Sequence, residues 1–168
     1  FTLVGFTLQN GYTIDNGAGI RSLALDTSVR SCVIQLCQAQ GYGGGFYGTS
    51  NSFLDGCVIR ENDAISFGDA IYVTATAGSN DVLTVNDCQL INNGGDNATA
   101  IIYANVDASI SNSSFNQTAD SNGSFVGLVN NSRDYTIENC VFAGPIREAV
   151  AIGSCFGGGG GGGGGPGG

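Results

Sequence analysis

Leu54-Asp55-Gly56-Cys57-Val58-Ile59 decides the fold, because the same phrase returns down the chain. Val29-Arg30-Ser31-Cys32-Val33-Ile34, Val85-Asn86-Asp87-Cys88-Gln89-Leu90 and Ile137-Glu138-Asn139-Cys140-Val141-Phe142 are copies of it. Leu3 to Leu8 and Ile110 to Phe115 repeat it with Phe6 or Ser113 in place of the cysteine. The repeated column runs Phe6, Cys32, Cys57, Cys88, Ser113, Cys140, in steps of 26, 25, 31, 25 and 27 residues. Two places on stand Leu8, Ile34, Ile59, Leu90, Phe115 and Phe142; three places earlier stand Leu3, Val29, Leu54, Val85, Ile110 and Ile137. All are apolar. Pairs two apart follow the strand period, not the i, i+3, i+4 spacing of a helix.

One step of three interrupts the period of two. The residue before the column is Gly5, Ser31, Gly56, Asp87, Asn112 or Asn139, types that tolerate a left-handed backbone or turn the chain through their own side chains. A sharp corner between two short strands is expected there. A second column reads Ile20, Phe46, Ile71, Ile101, Val126, Val150. The longest interval between columns, 17 residues, places an insertion near Thr76 to Asp81, and a smaller one falls near Asn130 to Asp134.

A unit of about 25 residues with short strands and corners is one coil of a parallel β-helix. Coils stack at about 4.8 Å, each touching only its neighbours. The reading is an all-β, right-handed, single-stranded parallel β-helix of about six coils over residues 1–156, followed by a glycine-rich tail, 157–168. A sandwich or propeller, built of hairpins at 8–12-residue spacing, fits the unit poorly.

Gly17-Ala18-Gly19-Ile20, Gly44-Gly45-Phe46 and Asp69-Ala70-Ile71-Tyr72 resemble the Gly-Gly-Ala-Ile motif of polymorphic outer-membrane protein repeats. Ile59-Arg60-Glu61-Asn62 and Leu90-Ile91-Asn92-Asn93 resemble that family's Phe-x-x-Asn motif, with an aliphatic residue for Phe. The resemblance covers residues 1 to about 155. It implies a right-handed parallel β-helix of an adhesive or surface-structural protein, and it transfers fold better than function. The chain carries no membrane-barrel segment of the autotransporter kind.

Fourteen acidic residues face five arginines and no lysine, for a net charge of −9. That balance argues against nucleic acid or an anionic membrane as partner. No run of 18 apolar residues exists to span a bilayer. The chain opens on Phe1 inside a strand-like phrase, as a mature or partial chain would.

Five N-x-Ser/Thr acceptors, Asn97, Asn112, Asn116, Asn122 and Asn130, fall within 34 residues. They suggest N-glycans on one flank of a secreted protein; the plainer reading is chance in an Asn- and Ser-rich chain. Asn112 holds the corner position. By resemblance to the asparagine ladders of β-helices its side chain is expected to point inward, which leaves Asn97, Asn116, Asn122 and Asn130 as the glycan candidates.

Of six cysteines, Cys32, Cys57, Cys88 and Cys140 share the inward column, while Cys37 and Cys155 lie off it. With no histidine and no Cys-x-x-Cys, a zinc site is not expected. Neighbours on adjacent coils lie within disulfide range, so Cys32–Cys57 or Cys57–Cys88 could bridge. The other reading is a ladder of buried thiols used as small apolar fillers.

Gly157 to Gly165 is an unbroken run of nine, followed by Pro166. It reads as a flexible linker or as an assembly tail. In the second case Gly157, Gly161, Gly165 and Pro166 would pack in extended polyproline-II form on a neighbouring copy or a Gly-rich partner chain.

No catalytic constellation stands out, and no cofactor or metal is expected. The arginines fall singly and the acids are spread through corners. The most suggestive group, Arg60-Glu61-Asn62-Asp63 with Asp87 one coil away, reads more simply as turn chemistry. The expectation is a non-enzymatic, extracellular, glycosylated module of a filament or appendage that self-associates through its end coils and tail. Two alternatives remain. One is a carbohydrate-binding adhesin with an exposed aromatic strip drawn from Tyr42, Phe46, Tyr47, Tyr72 and Tyr103; the other, less favoured, is a polysaccharide lyase or hydrolase.

Overall fold

The computed structural model describes residues 1–75, 79–94, 100–118, 121–129 and 133–153. It is an all-β parallel solenoid of about five turns with about 26 residues per turn. The glycine tail, Cys155, Asn97 and Asn130 lie outside the described residues, as does part of the Thr76–Asp81 insertion.

Three six-stranded parallel sheets form the walls. The first stacks Thr2–Val4, Asp26–Arg30, Asn51–Asp55, Val82–Asn86, Asp107–Ser111 and Tyr135–Glu138. The second stacks Thr7–Gln9, Val33–Gln35, Val58–Arg60, Gln89–Ile91, Ser114–Asn116 and Val141–Ala143. The third stacks Ile20–Ser22, Phe46–Gly48, Ile71–Thr74, Ala100–Asn105, Ser121–Leu128 and Ile146–Ile152. A shorter sheet of Tyr12–Thr13, Gln38–Ala39 and Asp63–Ala64 closes one side of the first three rungs.

The first repeat column is the register of the first two sheets. Leu3 pairs with Val29, Val29 with Leu54, Leu54 with Val85, Val85 with Ile110 and Ile110 with Ile137. The second column needs one correction. Ile71 pairs with Ile102, not Ile101, and Ile102 pairs with Val126. Both isoleucines are buried, so apolarity alone does not choose between them. Close by, the Gly68 and Asp69 N–H groups both donate to the Ala100 carbonyl, at 3.0 and 3.2 Å.

All six expected corners have left-handed backbone. Gly5, Ser31, Gly56, Asp87, Asn112 and Asn139 have φ of 72°, 50°, 59°, 49°, 52° and 52°. A second series of corners, Asn10, Leu36, Glu61 and Asn92, has φ of 58°, 56°, 55° and 48°. Leucine rarely adopts this conformation. Leu36 is held in it between the paired strands on either side, with its side chain exposed.

Candidate functional site

The cysteine column lies at the first corner. Cys32, Cys57 and Cys88 are buried and Cys140 is half-buried; none of the described cysteines is in a disulfide. Each thiol lies against two carbonyls. Cys57 Sγ is 3.4 Å from Asp55 O on its own rung and 3.5 Å from Val29 O on the rung before. Cys88 Sγ meets Asn86 O at 3.2 Å and Leu54 O at 3.6 Å. A small side chain with a weak donor therefore fits a corner where backbone acceptors converge. Ser113 does the same, donating to Ser111 O at 2.7 Å. A hydrogen bond with Cys57, together with burial, holds the Cys88 thiol far above its ordinary range. Alkylation of the native protein by iodoacetamide is expected to modify Cys140 and spare Cys32, Cys37, Cys57 and Cys88, as read by peptide mass spectrometry. Rapid labelling of Cys57 or Cys88 without unfolding would contradict this packing.

Asn112 sits at its corner and is hydrogen-bonded, but it points outward, a correction to the inward placement. Its Nδ2 donates to Asn86 Oδ1 at 2.9 Å, and Asn139 Nδ2 donates to Asn112 Oδ1 at 3.4 Å. With Asn86 Nδ2 on Asp55 Oδ1 at 2.7 Å, these form a ladder on the surface. The inward ladder is at Asn62 and Asn93, both fully buried. Asn62 Nδ2 donates to Ile34 O and to Asn93 Oδ1, each at 3.0 Å; its Oδ1 accepts from Cys37 N at 3.1 Å. Asn93 Nδ2 donates to Ile59 O at 2.8 Å, and Gln117 Nε2 donates to Asn93 O. These asparagines are the last residues of the two Phe-x-x-Asn-like phrases, so the signal was present. Cys37 takes the same place one rung earlier and is buried there, with burial pushing its thiol up. Among the acceptors, Asn116 is exposed at a strand end and Asn122 lies in Ser121–Leu128.

The aromatic candidates divide. Phe46 is buried in the core. Tyr42, Tyr47, Tyr72 and Tyr103 join Phe67 in a stack on the outer side of the third sheet. Ring centroids lie 5.5 Å apart for Tyr47–Tyr72, 4.9 Å for Tyr72–Tyr103, 4.7 Å for Tyr42–Tyr72 and 5.2 Å for Phe67–Tyr103. Burial among these rings pushes the Tyr72 hydroxyl up to about 12. The faces are turned toward one another, which occupies the surface a sugar ring would stack on.

The acidic group near Arg60 does not converge. Arg60 Nε donates to Gln35 Oε1 at 2.7 Å, Asp63 accepts from Gln38 at 3.2 Å, and Asn62 turns into the core. Among the described residues, no group of three His, Cys, Asp or Glu is placed to hold a metal. Among the described residues the one buried acid is Asp69, with Oδ1 accepting from Ala64 N at 3.0 Å and Oδ2 without a partner.

The two ends of the rod remain. Inward positions that are sealed in the middle are open there. Leu3, Phe6 and Leu8 are half-buried or exposed, whereas Val29, Cys32 and Ile34 in the same columns are buried. At the other end Ile137, Cys140 and Phe142 are half-buried, against buried Ile110, Ser113 and Phe115. Among the described residues, nine of the eleven exposed large apolar side chains, including Phe6 at 56% and Val141 at 62%, lie on or beside these end rungs. Comparison of the chain with protein-family models, curated proteins and solved structures returns no match.

Proposed function

We propose that this chain is a non-enzymatic, secreted structural module whose rod extends by stacking end to end with further copies. The observation that carries the reading is the open core at both end rungs. The columns that end half-covered at Ile137 and Phe142 are those that begin half-covered at Leu3 and Leu8. The last rung of one copy on the first rung of the next would continue each column apolar on apolar and pair the exposed strand edges. The motif likeness to polymorphic outer-membrane protein repeats, and the surface position of Asn116 in its acceptor sequence, support an extracellular setting.

The test is the mass of the protein in solution across concentration, by light scattering after size exclusion, with the protein secreted from eukaryotic cells. Species that lengthen with concentration, and their loss in Phe6→Asp with an unchanged circular dichroism spectrum, are expected. An endoglycosidase-sensitive mass on the Asn116 peptide is expected as well. A parent protein that stays monomeric at millimolar concentration overturns the assembly; an unmodified Asn116 overturns the glycan.

A further inference from the structure

The outer side of the first sheet carries a groove of about 360 Å³, within the range of small-ligand sites. It crosses four rungs, the first of which lines it with Phe1 and Thr2. Asp26, Ser28 and Arg30 come from one strand, Asn51 and Phe53 from the next, Val82 and Thr84 from the third. Strand alternation presents these side chains together: Ser28 pairs with Phe53 and Phe53 with Thr84, while the intervening Thr27 and Ser52 are buried.

The groove has two unlike ends. At one, the Arg30 guanidinium carbon lies 5.0 Å from the centroid of the Phe53 ring, and Arg30 Nε donates to Ser28 Oγ at 3.1 Å. These contacts fix the cation without engaging its two Nη groups, and among the described residues no carboxylate pairs with it. A guanidinium held in place loses less entropy on meeting a carboxylate. At the other end, about 13 Å along the same strand, Asp26 Oδ1 accepts from Asn51 Nδ2 at 3.0 Å. Between them lie the apolar surface of Phe53 and the Thr84 hydroxyl.

We propose that this groove binds a short oligosaccharide bearing a uronic acid. The sugar carboxylate pairs with the Arg30 Nη groups, the apolar side of a sugar ring lies against the part of the Phe53 ring that Arg30 leaves uncovered, and ring hydroxyls donate to Asp26 and bond with Asn51 and Thr84. A neutral sugar leaves the cation unpaired. A purely anionic ligand meets Asp26 at the far end. The stacked tyrosines on the third sheet take no part.

The test is isothermal titration with a disaccharide of glucuronic acid and N-acetylglucosamine, against its carboxyl-reduced form, with amide chemical shifts read in parallel. Expected are saturable binding of the acidic sugar, at least tenfold weaker binding of the reduced one, and shifts centred on Ser28, Phe53 and Thr84. Arg30→Gln and Phe53→Ala should each weaken binding tenfold or more with unchanged circular dichroism, and Arg60→Gln, on the neighbouring sheet, should leave it unchanged. The proposal is overturned by no binding, by equal affinity for the reduced sugar, by retained affinity in Arg30→Gln, or by an Asp-Glu peptide binding as tightly.

Discussion

Asp69→Asn is expected to stabilise the protein at pH 8 by about 2 to 4 kcal/mol, with little effect near pH 4. Asp69 is fully buried. It follows the left-handed Gly68, at the rung position where its lower neighbour carries Gly44. Burial pushes its carboxyl up to about 8, against the opposing hydrogen bond from Ala64, with nearby Asp63 adding a smaller push. The folded state thus keeps a proton that the unfolded chain releases near pH 4. Stability falls as pH rises from about 4 and levels off only above about 8, since the folded state binds more protons throughout that window. Asparagine keeps an acceptor for Ala64 N and carries no charge to bury. Its amide nitrogen inherits the unpartnered position of Oδ2, which limits the gain. Urea unfolding of both proteins at pH 4, 6 and 8 checks this. The difference should open with pH, and parallel profiles would show that Asp69 is solvated in the folded protein.

Asp69 also marks where reading the sequence stops. Its phrase, Asp69-Ala70-Ile71-Tyr72, is legible as a Gly-Gly-Ala-Ile-like motif, and an aspartate among corners and loops usually faces water. Whether an acid in a corner faces out depends on how tightly the rung below packs, and Gly44 leaves no room there: a Cβ on it would lie 2.3 Å from Asp63 O. The first column was readable to the residue, because in every phrase a turn-tolerant residue, Gly5, Ser31, Gly56, Asp87, Asn112 or Asn139, contrasts with the apolar positions around it and fixes the frame. Ile101 and Ile102 offered no such contrast. The second corner series was hidden for another reason. Leu36 and Glu61 are not turn formers, and their left-handed backbone is imposed by the strands on either side.

The asparagines show the same limit. Asn112 and Asn62 are one residue type at two corners with opposite directions. Asn112 is itself the left-handed residue, and its side chain falls on the surface. Asn62 follows the left-handed Glu61, which turns its side chain into the core. The offset from the left-handed residue separates the two ladders. The Ile-x-x-Asn phrase contains that offset, but its consequence is visible only once the φ of Glu61 is known.

The largest loss of stability is expected from Asn62→Leu, about 1 to 3 kcal/mol. Leucine is close in size and more apolar, so a rule of burial alone would make the change harmless. Asn62, however, accepts from Cys37 N at 3.1 Å where the corner interrupts the ladder, and donates to Ile34 O at 3.0 Å. Leucine removes the acceptor of the buried Cys37 amide, at about 1 to 3 kcal/mol, while Ile34 O stays in the strand ladder. Asn93 Oδ1 keeps its bond from Asn62 N at 3.1 Å, so the damage should stay on the rung below. Asn62→Ser should fall between, since a serine oxygen can accept from the facing amide as Ser113 Oγ does from Cys88 N at 3.1 Å. Cys37→Asn, which extends the ladder by one rung, should be tolerated. Thermal and urea unfolding of the three variants would place them in that order. A loss below about 1 kcal/mol for Asn62→Leu would mean the corner amides find other partners. The polar column would then be filler, and the apolar columns alone would hold the coils in register.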